Sequence, residues 1–270
     1  VPELPEVEVT RRGLVAPLQG ARIASVRMGK PLRWPLGIDT AALAGRTITE
    51  VQRRGKYIVL VLDQGVVLIH LGMSGSLQVS PMDAPAGPHD HFDLLTDQHL
   101  LRLHDPRRFG AVVWSPDADS GMAAKLLSNL GVEPLGAGFN VEHLWAGLQK
   151  SRTPIKQLLL GGQVVVGVGN IYASEVLFLA GISPTKPANQ TTRPQAKRLH
   201  AAIVEVLTRS IALGGSTLRD FVQVNGYAGA FQAQASVYGR AGEPCPQCGQ
   251  PVQLIKQGQR STYYCKRCQK

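Results

Sequence analysis

The 270-residue sequence predicts an α+β multidomain protein: an N-terminal helix, a β-sandwich or barrel, a helical segment and a four-cysteine zinc ribbon. Three observations predict it. Between residues 21 and 114 the apolar residues come in short, strand-length runs separated by turn signals. Beyond residue 121 their spacing turns helical. All four cysteines fall in the last 26 residues, as two C-x2-C pairs.

Residues 3–18 read as a helix, because prolines near its start and Glu3 and Glu6 in its first turn suit the positive end of a helix dipole. Residues 57–62 and 66–71 are apolar runs flanking Asp63-Gln64-Gly65, a hairpin signal. Residues 91–96 and 100–104 bracket Asp97-Gln98-His99 in the same way, and residues 111–114 add another strand. Residues 115–121, rich in Asp, Ser and Pro, read as a linker. Residues 171–180 form a helix entered through Gly167-Val168-Gly169-Asn170 and left at Gly181. Leu199, Ile203, Val206, Leu207 and Ile211 share one face of a longer helix, stopped by Gly214-Gly215.

The pairs Cys245-Pro-Gln-Cys248 and Cys265-Lys-Arg-Cys268 stand sixteen residues apart, within zinc-ribbon spacing. Each turn aims two thiolates at one metal, and four thiolates close the tetrahedron. No position remains for water, so a single structural Zn2+ is expected. Disulfides and a redox motif are the competing readings; a cytosolic chain disfavours the first, and the second needs a thioredoxin-like context that is absent. Residues 252–256 and 260–264 read as strands around residues 257–259. Arg260 then lies close to the tip of a basic hairpin that also carries Lys256, Lys266 and Arg267, suited to a nucleic-acid groove.

The formal charge is +10, from 29 Lys+Arg against 19 Asp+Glu. Such a field concentrates polyanions, and nucleic acid is the commonest. The apolar stretches, residues 66–71 among them, are far short of the ~20 residues that cross a bilayer. The acidic opening lacks the basic and apolar regions of a signal peptide. A cytoplasmic monomer with no membrane partner is expected.

Pro2 and Glu3 carry a further possibility. A proline with a free amino group is a secondary amine that can attack a sugar carbon and form an iminium, with a neighbouring carboxyl to move protons. The plainer reading is a helix start.

Over nearly its whole length the chain resembles the formamidopyrimidine-DNA glycosylase (Fpg/Nei) family. The resemblance is carried by Pro2-Glu-Leu-Pro-Glu-Val, Gln52-Arg-Arg-Gly-Lys56-Tyr, His70-Leu-Gly-Met73-Ser-Gly, His89-Asp-His91 and Asp105-Pro-Arg107-Arg108-Phe109-Gly. It continues through Val166-Gly-Val-Gly-Asn170-Ile-Tyr-Ala-Ser-Glu, Gly214-Gly-Ser-Thr-Leu, Val237-Tyr-Gly-Arg and the zinc ribbon. The resemblance implies an N-terminal β-sandwich with an N-terminal helix, a helical helix-two-turn-helix domain and a C-terminal zinc finger. The expected segments are 2–115, 122–237 and 238–270. It also implies a bifunctional glycosylase and AP lyase of base excision repair, acting on oxidised purines in double-stranded DNA.

By resemblance, Pro2 is the nucleophile, Glu3 the proton donor, Lys56 the residue of β-elimination and Arg260 that of δ-elimination. His89, Arg107 and Arg152 match DNA contacts, and Asn170 a phosphate contact, although its position also suits a helix cap. Met73, Arg107 and Phe109 match the residues that fill the gap left by a flipped nucleotide. His89 and His91 lack an evident third metal ligand, so His89 is read as a phosphate contact. Val1 must be absent for the chemistry, because an acylated proline nitrogen is an amide. The loop after Gly215, including Arg219, is expected to close over the flipped base. Two rivals stand: an endonuclease VIII-like enzyme for oxidised pyrimidines, and a non-catalytic zinc-ribbon DNA-binding protein.

Overall fold

A computed structural model describes residues 2–216, 223–224 and 229–270. The chain forms two compact units. The first comprises Val1–Asn129 with Gly214–Gly229, the second Leu130–Leu213 with Ala230–Lys270.

The first unit opens with α1 (Leu4–Leu18), for which Glu3 is the N-cap. Two four-stranded antiparallel sheets follow. One has the order β1 (Ile23–Met28), β6 (Asp90–Thr96), β7 (Leu100–His104), β5 (Ser76–Ser80). The other runs β2 (Ile48–Arg54), β3 (Tyr57–Leu62), β4 (Val66–His70), β8 (Ala111–Ser115). A single apolar core joins Val7, Leu14 and Leu18 of α1 to Ile58, Leu60, Val67 and Ile69 of one sheet and Phe92, Leu94, Leu101 and Leu103 of the other. This is the expected sandwich with its N-terminal helix.

The unbroken apolar runs of β3 and β4 now have a reason. Alternate residues point to opposite faces of a strand. Ile58 and Leu60 enter the central core, whereas Val59, Val66, Leu68 and Val113 form a second cluster with Ala123. Ala123 belongs to α2 (Gly121–Leu127), whose Ala123 N–H donates to the Ser115 hydroxyl at 2.9 Å. The segment read as a linker is therefore shorter in the structure: Ser115 ends a strand and Gly121 begins a helix packed on that strand's sheet. Strand β4 likewise ends at His70, and Leu71 starts the turn that carries Met73.

The second unit is helical, with α3 (Val141–Gln149), α4 (Ile155–Gly161), α5 (Asn170–Ala180) and α6 (Arg193–Ala212). Thr192 and Gln195 form a capping box at the start of α6. The hairpin of β9 (Gln253–Gln257) and β10 (Arg260–Tyr264) completes the unit. Phe178 of α5 packs with Val237, Val252, Cys245 and Cys265. Among the described residues, no helix is long and apolar enough to cross a membrane.

Candidate active site and metal centre

In the first unit the N-terminus is held by buried carboxylates. Glu3 is 2% exposed and Glu6 is fully buried. The Glu3 N–H donates to Glu6 Oε2 at 2.9 Å, and the Ser216 N–H donates to Glu6 Oε1 at 2.7 Å. One carboxylate thus fixes both the residue beside Pro2 and the start of the loop after Gly215. Gly215 has φ +82°, and a Cβ there would lie 2.9 Å from Glu6 Oε1. Only glycine suits both demands. Val1 and Arg219 lie outside the described residues.

Lys56 sits in the turn between β2 and β3, after Gly55 at φ +56°. Nearby, His70 Nδ1 accepts the Gly72 N–H at 3.0 Å, which places the ring proton on Nε2. Burial, with smaller contributions from the Lys56 and Arg33 charges, lowers the His70 pKa to about 4. The imidazole is therefore neutral at physiological pH.

Met73, Arg107 and Phe109 occupy neighbouring turns. Met73 and Phe109 are exposed at 39% and 47%, and the Arg107 guanidinium lies 4.8 Å from the Phe109 ring centroid. Asp105, fully buried, holds these turns: Ser74 Oγ donates to its Oδ1 at 2.7 Å and the Gly110 N–H to its Oδ2 at 2.8 Å. The Arg107 N–H in turn donates to Ser74 Oγ at 3.2 Å. A Cβ on Gly72 would come within 2.5 Å of the Phe109 carbonyl carbon, so the close approach of the turns requires glycine there. His89 is exposed, while His91 two residues on is buried in the strand. Among the described residues, neither joins a group of three or more potential metal ligands.

In the second unit Gly169, not Asn170, caps α5. Asn170 is the first helical residue and its amide faces elsewhere. Its Oδ1 accepts from Lys156 Nζ at 2.6 Å, and its Nδ2 donates to the Ser261 carbonyl at 3.0 Å. Fully buried Lys156 also donates to Thr262 Oγ1 at 2.6 Å and the Ser261 carbonyl at 3.1 Å. This ammonium couples Asn170 to the hairpin immediately beyond Arg260. Arg260 and Arg152 are both exposed. The hairpin turns through Gly258 and Gln259, both at positive φ, the two-residue geometry of a type I′ turn.

The four cysteine sulfurs lie within 4.8 Å of one another, with Cys245–Cys268 at 3.9 Å and Cys248–Cys265 at 3.5 Å. Zn–S bonds of about 2.3 Å in a tetrahedron put sulfurs about 3.8 Å apart. All four cysteines are free, and the observed separations exclude disulfide bonds while fitting zinc. Desolvation, then hydrogen bonding among the sulfurs, pushes the Cys268 thiol up to about 12. A cation at the centre relieves that crowding by favouring the thiolates.

Sequence reasoning gave Glu6 only a helix-dipole role and gave Asp105 and Lys156 none, although Glu6 and Asp105 lie within recognised motifs. Their signal is weak in a linear chain: an acid or a lysine reads as surface until burial is known.

Residues 1–112 match the formamidopyrimidine-DNA glycosylase N-terminal domain, residues 130–222 the H2TH domain of the same enzyme, and residues 242–270 the zinc finger found in FPG and IleRS. The formamidopyrimidine-DNA glycosylase of Acidovorax sp. (strain JS42) is 61% identical, with both chains covered completely. Two solved relatives have a TM-score of 0.91 and cover 99% of both chains. They are MutM in complex with DNA containing carbocyclic 8-oxo-G, at 37% identity, and the Lactococcus lactis FPG mutant G226P with Fapy-dG DNA, at 36%. On three family matches that together span most of its length and a relative covered completely, the chain belongs to the formamidopyrimidine-DNA glycosylase family.

Proposed function

We propose that Pro2 is the nucleophile of this DNA glycosylase and AP lyase, with Glu3 as its proton donor and Lys56 and Arg260 serving the two eliminations. The enzyme removes oxidised purines, 8-oxoguanine and formamidopyrimidines, from DNA. The observation that supports the assignment is the Glu6 carboxylate, which binds the Glu3 backbone beside Pro2 and the start of the loop after Gly215 together.

The Pro2 nitrogen, free of Val1, attacks C1′ while the damaged base leaves with the glycosidic electron pair. The Pro2 N–H proton passes to the departing base, Glu3 donates a proton to the sugar ring oxygen as the C1′–O4′ bond breaks, and the nitrogen lone pair forms the iminium. Loss of a C2′ proton then creates a carbon–carbon double bond and expels the 3′ phosphate. A second proton loss, at C4′, expels the 5′ phosphate. Lys56 serves the first elimination and Arg260 the second. His89, Arg107, Arg152 and Asn170 hold the phosphate backbone, while Met73, Arg107 and Phe109 fill the space vacated by the flipped base. Zinc bound by Cys245, Cys248, Cys265 and Cys268 keeps the hairpin folded and takes no part in the chemistry.

The working segments are 2–115 for chemistry, 122–237 for DNA grip and 238–270 for the finger. The protein acts as a cytoplasmic monomer on damaged duplex in the nucleoid, a reading supported by its charge of +10 and its DNA-bound relatives. Borohydride reduction on 8-oxoguanine duplex tests the assignment. Protein starting at Pro2 gives a covalent adduct that maps to Pro2. An adduct at Lys56, or full activity with Val1 retained, overturns it.

A further inference from the structure

We infer that Glu8 and Arg53 are positioning residues that set the Lys56 turn against the helix that directly follows Pro2 and Glu3. The inference rests on the roles proposed above for Pro2 and Lys56. Glu8 lies on α1, less than two helical turns beyond Pro2, and Arg53 lies on β2, three residues before Lys56. Two contacts of the Arg53 guanidinium matter here. Its Nε donates to Glu8 Oε2 at 3.0 Å, and another of its nitrogens donates to the Gly55 carbonyl at 2.9 Å. A rigid planar cation therefore spans from α1 to the turn carrying the lysine. Both side chains of the pair are only 11% exposed.

Arg11, rather than the largely exposed Arg12, fixes the Glu8 end of this link. Arg11 donates to both Glu8 oxygens at 3.0 and 2.8 Å, and Arg12 donates to Oε1 at 2.9 Å. Arg11 also reaches the Val51 carbonyl at 3.3 Å, pinning α1 to β2 a second time. Burial works to raise the Glu8 pKa, and hydrogen bonds from Arg11, Arg12 and Arg53 outweigh it, leaving a value of about 2. The carboxylate is ionised throughout the working pH range. A general ion-pair staple needs only the charge. Positioning of Lys56 needs the particular fork of Arg53, because lysine cannot span two acceptors with fixed geometry.

A displacement of the order of 1 Å at a reacting group can cost up to about a hundredfold in rate. Glu8→Gln and Arg53→Lys are each expected to slow β-elimination at an abasic site about tenfold in single turnover. The borohydride adduct at Pro2 should stay at or above the wild-type yield, since imine formation precedes the affected step. In a Lys56→Ala background neither change should slow elimination further. Arg12→Ala, which removes a largely exposed contact to Glu8 and leaves Arg53 in place, should match wild type throughout.

The inference is overturned if Glu8→Gln and Arg53→Lys depress adduct and elimination in parallel. It is equally overturned if they slow the Lys56→Ala enzyme as much as the wild type, or if Arg12→Ala slows elimination to the same extent. Failure of the underlying reading is seen separately, as an unchanged elimination rate for Lys56→Ala alone or an adduct away from Pro2. Should Glu8→Gln not fold, Arg53→Lys carries the same comparison.

Discussion

The Ser74 hydroxyl donates to Oδ1 of Asp105 at 2.7 Å, and this bond ties the turn bearing Met73 to the turn bearing Arg107 and Phe109. Asp105 also receives the Gly110 N–H at 2.8 Å, so both of its oxygens are used. A hydrogen bond to a charged group contributes about 1.5–3 kcal/mol. Asp105→Asn places an NH2 against one of two donors. Excision from a paired lesion duplex should fall about tenfold or more, with a smaller loss on an abasic site. Single-turnover rates on the two substrates check this, and equal losses would remove Asp105 from any part in base extrusion.

Phe109 and Arg107 should separate when each is truncated. Extruding a base costs roughly a few kcal/mol, which a ring that replaces the lost stacking partner offsets. Phe109→Ala should impair excision from paired duplex more than cleavage of an abasic site. If Arg107 contacts a phosphate as proposed, Arg107→Ala should harm both and make affinity less dependent on salt. Binding across a salt series provides the second measurement; an unchanged slope would place Arg107 away from the backbone.

Lys156 is fully buried and serves Asn170, Ser261 and Thr262 together. Lys156→Met keeps the length and leaves three acceptors without that donor. An unsatisfied buried group costs about 1–3 kcal/mol. The expected result is a stability loss of about 2–4 kcal/mol in urea unfolding, with weakened DNA binding through a displaced Asn170. Wild-type affinity in a folded Lys156→Met protein would show that Asn170 holds its place without the lysine.

His70 gives a pH signature. Its folded pKa of about 4 lies below the ordinary 6.5, because burial and the Lys56 and Arg33 charges oppose its protonation. Between these values the unfolded chain binds a proton that the folded chain refuses, so stability is complete above about 6.5 and falls as pH drops toward 4. Neutral His70→Asn should flatten that part of the stability profile. NMR of the imidazole checks the same point: a ring protonated at pH 6 in the folded protein would contradict it.

Zinc removal should act on binding first. The hairpin between the cysteine pairs is too small to fold on its own core. Cys248→Ser and Cys268→Ser should lose metal and DNA affinity together. Metal analysis beside a binding isotherm is the measurement, and full affinity in zinc-free protein would refute a structural role.

The sequence by itself determined the architecture and the family. Strand-length apolar runs, helical spacing beyond residue 121 and the cysteine spacing are local signals, each set by the period of the backbone or the geometry of a metal. Hence α1, the β3–β4 and β6–β7 hairpins, α5, α6 and the finger hairpin all appear within a few residues of their expected places. The motif residues were legible too, since a motif is by nature linear. Tertiary structure decided what supports them. Residues 115–121 look like a linker until Ala123 is seen packed beneath β3, β4 and β8, and Asn170 looks like a cap until Gly169 takes that place. Glu6, Glu8, Asp105 and Lys156 resemble solvated charges in the chain, yet each is held by partners distant in sequence: Ser216, Arg53, Ser74 and Thr262. A charge is acceptable in a protein interior only where the fold brings hydrogen-bonding partners to it. No local pattern encodes that meeting, because it exists only once the strands and helices have packed.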